Sequence, residues 1–327
     1  MEVCIIKALM YLGIRDMKLT DVDKPKGGII VKVKGSGICG TDLKTYLKGH
    51  HLFKPPVILG HEFYGVIEEV PEEVSGLKVG DVVAVAPYYE CGKCEKCQNG
   101  LGQLCNNKEG VSSGSFCEYI SIPADYVEKG VYKVENDDVY TIVEPLACVI
   151  NGISKLDIKN GSNVLIVGAG PMGSLFTLAF LKDGIKAAVA EVSPKRRKIV
   201  ESWGVKTISP QDVKKGQYDN IVLAVNKGEL AKQYISLVAD GGNVLLFSGL
   251  PKGEDIAVNP YDIHYREVKL TGTFGYSIEH FREALKVIKA TPDLFRKVIT
   301  HTMPLAQGLN AFELLEKGEA MKVVLKT

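Results

Sequence analysis

Short apolar runs rich in β-branched residues, broken by glycine and proline, fill the first part of the chain. Residues 3–12 and 28–38 alternate or run apolar, and Asp-Lys-Pro-Lys-Gly-Gly between them supplies turn chemistry. Residues 57–62 lead into a strand-like stretch at 64–70. A Gly80-Asp81 turn leads a further strand through 85, and 119–122 and the segment to Val134 continue the pattern. Such punctuation predicts a β-rich, barrel-like domain over roughly the first 130 residues.

Near residue 141 the period changes. Residues 141–150 open like a helix, with Pro145 at an early helical position. A turn at 157–161 precedes a buried-strand run from Asn163, which enters Gly168-Ala-Gly170-Pro171-Met172-Gly173 and continues as an apolar helix over 174–182. Strand patterns recur at 187–190, 219–225, 242–249 and 268–275 with helical stretches between them, which predicts an open, mostly parallel α/β sheet. Beyond it, 277–290 reads as an amphipathic helix with Phe281, Leu285 and Ile288 on one face. Residues 305–316 read as a second helix and 321–325 as a closing strand.

Composition narrows the class. At 327 residues the chain exceeds the usual size of one core, so two domains are expected. Its 46% hydrophobic and 24% charged residues are an ordinary globular balance. The formal net charge of +1 gives no bulk attraction for nucleic acid or an anionic membrane. No apolar run approaches the ~20 residues of a membrane span, and the N-terminus lacks a signal-peptide layout. A cytoplasmic protein is the expectation.

Eight cysteines could form disulfides, but four of them fall as Cys91-x2-Cys94-x2-Cys97-x7-Cys105, with Cys4, Cys39, Cys117 and Cys148 scattered. Clustered x2 spacings in a reducing compartment read as metal ligands. Four thiolates can close a tetrahedral zinc site with no open position, a structural rather than catalytic metal, whose binding would fold a lobe too polar for a core.

A second candidate centre lies in residues 35–62. Cys39 offers a thiolate, His61 an imidazole and Glu62 a carboxylate, a set that suits zinc better than magnesium or calcium. Thr41, two residues after the cysteine, could reach a ligand on the same metal. Taken alone this set is weak, because a cysteine in an apolar strand is commonly a small buried hydrophobe.

The glycine loop gains meaning from the strand before it and the helix after it. Gly168, Gly170, Pro171, Met172 and Gly173 would let the turn approach a pyrophosphate, with the helix N-terminus stabilising its charge. Glu191 ends the next strand, eighteen residues beyond Gly173. A carboxylate there can bind ribose hydroxyls and repel a 2′-phosphate, favouring NAD over NADP. Lys195, Arg196 and Arg197 follow and could instead screen a phosphate, or simply form a solvated helix start.

In this order, Gly37-Ile-Cys-Gly-Thr-Asp42, Gly60-His-Glu62, the four-cysteine lobe, Glu144-Pro-Leu146 and the 168–173 loop resemble the zinc-dependent medium-chain dehydrogenase/reductase family over essentially the whole chain. Glu144-Pro-Leu146 and the stretch 263–274 resemble its sorbitol, polyol and threonine dehydrogenase branch. The resemblance implies an α/β protein. A β-rich GroES-like barrel catalytic domain (1–145 and 276–327, zinc lobe 91–105) would join a Rossmann-type, doubly wound cofactor domain (146–275), with the substrate cleft between them.

It further implies two zinc ions. Cys39, His61, Glu62 (as third ligand or close neighbour) and Glu144, directly or through water, would hold the catalytic one, and Cys91, Cys94, Cys97 and Cys105 the structural one. Glu144 could otherwise be a carboxylate favoured by a helix N-terminus. Zinc would lower the pKa of a secondary alcohol of a polyol or sugar-like substrate, and hydride would pass to NAD. Thr41 would take the proton first. Lys44 stands where many relatives have a histidine, and His50 and His51 are expected in solvent. Dimers or tetramers are the implied assembly. Three alternatives stay open: a sugar-alcohol phosphate, for which Lys44, Lys48, Lys54 or Arg266 would supply positive charge; threonine; or a zinc-stabilised nucleotide-binding protein without turnover.

Overall fold

The computed structural model describes residues 4–111, 113–250, 253 and 255–327. Val3, at the start of the first expected strand, lies outside the described residues. The chain forms two compact units, Met1–Ala147 with Ser277–Thr327, and Cys148–Tyr276.

In the first unit the strand Ile29–Gly37 is central. It pairs antiparallel with Glu62–Glu69, with Tyr119–Ile122 and with the C-terminal strand Lys322–Lys326. Val82–Val85 and Val131–Lys133 extend the sheet beyond Glu62–Glu69, and Ile299–Pro304 extends it beyond Lys322–Lys326. A smaller sheet joins Asp16–Asp23, Ile5–Gly13 and Val57–Ile58. Their apolar faces bury Ala8, Ile29, Val31, Val33, Phe63, Ile67, Val83 and Ile120 in one core. A second core holds Leu9, Tyr11, Ile38, Tyr46, Phe116, Phe312 and Leu325.

Several strands had no sequence signal, Asp16–Asp23 and Ile299–Pro304 in this unit and Lys206–Ile208 in the other among them. Asp16–Asp23 is largely polar and mostly half-exposed or exposed. Ile299–Pro304 is an edge strand that alternates only between half-buried and exposed positions, too weak a contrast for a period of two to stand out. Residues 305–316 form a 3-10 turn, Leu305–Gln307, followed by the helix Gly308–Glu316.

In the second unit six parallel strands lie in the order Lys206–Ile208, Ala187–Ala190, Val164–Val167, Asn220–Leu223, Asn243–Leu246, Lys269–Gly272. The chain starts in the middle, runs outward one way, then returns and runs outward the other. That order puts a topological switch at the carboxyl ends of Val164–Val167 and Asn220–Leu223, where open α/β sheets bind ligands. Val164, Leu165 and Ile166 are fully buried, as expected of a strand covered on both faces. Among the described residues no helix is long and apolar enough to cross a membrane.

Candidate active site

The sheet register brings the first three candidate ligands together. Gly37 pairs with Glu62 across the antiparallel strands, so Cys39, just past one strand end, meets His61 and Glu62 at the start of the other. Donor atoms of Cys39, His61 and Glu62 all lie within 4.8 Å of one another. Tetrahedral zinc bonds of about 2.0–2.3 Å need donors roughly 3.3–3.8 Å apart, which small side-chain rotations reach. The close approach requires glycine at 37, because a Cβ there would stand 2.4 Å from Glu62 Oε2.

Cys39 is the N-cap of the helix Gly40–Lys48. Its thiol accepts from the Thr41 N–H at 3.5 Å, and its own N–H donates to Asp42 Oδ2 at 2.9 Å. Asp42 is fully buried, lies 3.6 Å from His61 Nδ1 through Oδ1, and accepts from the Gly60 N–H at 3.4 Å. One carboxylate thus fixes the backbone of the cysteine and the ring of the histidine. A carboxylate behind a ring nitrogen orients an imidazole for a metal. Burial lowers the His61 pKa, but Asp42 and Cys39 outweigh it, and the pKa ends well above its ordinary value. A positive metal would take the place of that proton.

Glu62 is buried and its Oε2 accepts from Lys322, while Oε1 is buried with no hydrogen-bond partner. An orphaned carboxylate oxygen beside a thiol and an imidazole fits a bound cation. Glu144, in the first turn of the helix Val143–Ile153, is also buried and stands outside the 4.8 Å group. Burial pushes its pKa up to about 7, with His61 and Lys322 pulling it down and Glu62 and Asp42 pushing it up. Glu144 therefore shares the electrostatics of the group without being one of its packed donors. Thr41 is half-buried on the turn that Cys39 caps, and Lys44 is exposed.

Asp42 and Lys322 were not singled out from sequence as supporting residues. Asp42 had a signal, an acid three residues after the N-cap. A lysine entering the apolar run Lys322-Val-Val-Leu was the other. His51 is exposed as expected, but His50 is half-buried, with ring centroids 4.6 Å from His51 and 5.2 Å from Phe53. Burial, His51 and Lys44 hold its pKa below the ordinary value. Arg266 is not available to a substrate phosphate. It is buried in the second unit, bonded to Asp240, Asp262 and three carbonyls. Lys44, Lys48 and Lys54 are exposed.

The cysteine lobe is compact. Sulfur separations are 3.5 Å for Cys94–Cys97, 3.6 Å for Cys91–Cys105, 3.7 Å for Cys94–Cys105 and 4.0 Å for Cys91–Cys97. A tetrahedron of thiolates about 2.3 Å from zinc has edges of about 3.8 Å, so the four sulfurs stand where a closed site needs them. Backbone N–H donation from Cys97 brings the Cys94 thiol down to about 6. A Cys94→Ser variant is expected to lose the lobe's metal and, with it, most of the folding energy of residues 91–105. Limited proteolysis checks this. Protection of the lobe equal to wild type would refute it.

In the second unit Gly168 adopts φ +98°, and Gly173 packs so closely that an added Cβ would lie 1.9 Å from the Gly168 carbonyl oxygen. Gly170 is different. It is the N-cap of the helix Pro171–Lys182, and an added Cβ there would meet nothing within 4 Å. Met172 follows Pro171 in the first turn and is half-buried. A glycine facing open space at the N-terminus of a twelve-residue helix leaves room for a phosphate there. Glu191 ends its strand buried, accepting from the Ala169 N–H at 2.6 Å and the Ser193 N–H at 2.8 Å. It braces the loop through both carboxylate oxygens. Arg196 is half-buried in the first turn of the next helix, Pro194–Glu201.

Comparison with known proteins is consistent with this geometry. Residues 25–133 match the alcohol dehydrogenase GroES-like domain, and residues 171–290 match the zinc-binding dehydrogenase family. A D-altritol 5-dehydrogenase of Agrobacterium fabrum is 32% identical over 90% of this chain and 90% of its own. The chain belongs to the zinc-dependent medium-chain dehydrogenase family. Within it, this dehydrogenase is 31% identical to an L-threonine 3-dehydrogenase of Caldanaerobacter subterraneus, over 91% of this chain and 90% of that one. A Sinorhizobium meliloti protein described as a zinc-binding dehydrogenase bound to NADP superposes with a TM-score of 0.88 at 27% identity, covering 99% of this chain and 100% of that one. The family establishes an α/β enzyme with GroES-like and Rossmann-type folds.

Proposed function

We propose that this dehydrogenase oxidises a secondary alcohol of a polyol or sugar-like substrate with NAD, through a catalytic zinc at Cys39, His61 and Glu62 with Glu144 beside it. The observation that carries the proposal is the donor group itself: a thiol, an imidazole and an orphaned carboxylate oxygen within 4.8 Å. Four protein groups, one of them set apart, leave room for a substrate oxygen, as catalytic zinc sites do. When bound, zinc polarises that oxygen as a Lewis acid and the nicotinamide accepts the hydride.

The chain's own residues do the rest. Asp42 orients His61, and Lys322 holds Glu62. The Thr41 hydroxyl takes the substrate's proton and hands it to water, since a hydroxyl is no base unaided. Exposed Lys44 is compatible with a relay that ends in solvent. Two relatives support different substrates, an altritol and a threonine. The unphosphorylated polyol follows the altritol relative; of the cations a phosphate would need, Arg266 is consumed by internal bonds while Lys44, Lys48 and Lys54 stay exposed. A substrate panel of polyols, polyol phosphates and threonine, each with NAD and NADP, tests the proposal. Turnover of threonine alone, or of a phosphate alone, would displace it. A cytoplasmic homodimer or homotetramer completes the reading.

Cofactor choice has its own test. Glu191 favours a free ribose diol, although the Sinorhizobium neighbour carries NADP. Glu191→Ala removes a charged acceptor worth about 1.5–3 kcal/mol. NAD affinity is expected to fall roughly ten- to hundred-fold while NADP falls less, as read by fluorescence titration. Unchanged NAD affinity would exclude Glu191 from the ribose site.

A further inference from the structure

Lys322 is the one buried lysine or arginine among the described residues of the β-rich unit. Its side chain is 1% exposed and that of Glu62 is 0% exposed. Lysine is almost never buried without a partner, and this one has two: Nζ donates to Glu62 Oε2 and, at 3.2 Å, to the Ile38 carbonyl. The position follows from the fold, because Val324 pairs with Gly37 and Gly37 pairs with Glu62. The C-terminal strand therefore delivers its lysine to the rear of the donor group.

The two oxygens of Glu62 stand in opposite conditions. Oε2 is held by a cation, whereas Oε1 is buried with no hydrogen-bond partner. Around them, Cys39, Asp42, Glu62 and Glu144 all carry or can carry negative charge. Lys322 interacts electrostatically with Glu62, Cys39 and Glu144. We propose that Lys322 is a positioning residue that divides Glu62 between itself and the metal. It grips Oε2, leaves Oε1 to the metal, and withholds part of the carboxylate's charge from it. A carboxylate so shared binds zinc less tightly and leaves it more electron-poor than an unshared one. The inference rests on the catalytic-zinc reading of Cys39, His61 and Glu62.

Zinc stoichiometry of the wild-type holoenzyme comes first, since a chain holding zinc in the cysteine lobe alone would fail that reading before Lys322 is touched. Zinc release to a chelator is then timed for wild type, K322M, K322R, E62Q and the K322M/E62Q pair. The catalytic phase is the one absent from H61A. K322M is expected to slow that phase about tenfold and to lower kcat more than it changes KM, with K322R restoring both. In the E62Q background K322M is expected to change nothing, because the amide has no charge to share. That pair also buries no unpaired carboxylate, so it remains informative where K322M alone does not fold. Release from K322M as fast as from wild type, or an undiminished K322M effect in the E62Q background, overturns the proposal.

Discussion

His61→Ala is expected to lower kcat/KM by about a thousand-fold or more and to remove half of the bound zinc, leaving the lobe's share in place. The magnitude comes from what the metal supplies, several kcal/mol of transition-state charge stabilisation, at about 1.4 kcal/mol for each factor of ten. The fold should survive, because the His61 side chain is 25% exposed and caps no core cluster. Asp42 would lose one of its neighbours but keep the Cys39 and Gly60 N–H groups. Metal analysis together with steady-state kinetics and a thermal melt reads all three effects. A variant that keeps full zinc and loses activity would make His61 a proton carrier rather than a ligand. One that keeps both would remove the donor group from catalysis altogether.

How much of this centre was legible in the sequence depended on the range of each interaction. The cysteine lobe was readable as a candidate metal site because its four cysteines lie within one short loop, where their spacing already suggests ligands. The glycine loop was readable because the strand before it and the helix after it are adjacent in sequence. Cys39 and His61 needed the register of two strands to meet, and the chain gave only their residue types until family motifs were added. Lys322 had a signal as a lysine entering an apolar run, but its partner could not be read at that range, since it reaches Glu62 through a strand added from the other end of the chain. Glu191 shows a different gap. Its place at a strand end was predictable, but its bonds to Ala169 and Ser193 depend on local loop geometry that no pattern encodes. Edge strands such as Ile299–Pro304 escaped because half-exposed positions carry little hydrophobic contrast.

The glycine loop allows folding and binding to be separated by two single-methyl substitutions. Gly173→Ala places a Cβ 1.9 Å from the Gly168 carbonyl. Backbone cannot yield as a flexible side chain would, so about 3 kcal/mol of destabilisation is expected, against the gain of ~1 kcal/mol that alanine normally brings within a helix. Gly170→Ala adds the same methyl where nothing lies within 4 Å and where φ is −72°, a conformation any residue adopts. Its melting temperature should match wild type or rise slightly. Its affinity for NAD should nonetheless fall at least about tenfold, because the methyl fills space that the pyrophosphate needs beside the helix N-terminus. Calorimetric titration with NAD beside a thermal melt distinguishes the two: Gly173→Ala moves both readouts, Gly170→Ala only the first. Undiminished binding by Gly170→Ala would mean that the open space at residue 170 is solvent-filled and the phosphates lie elsewhere.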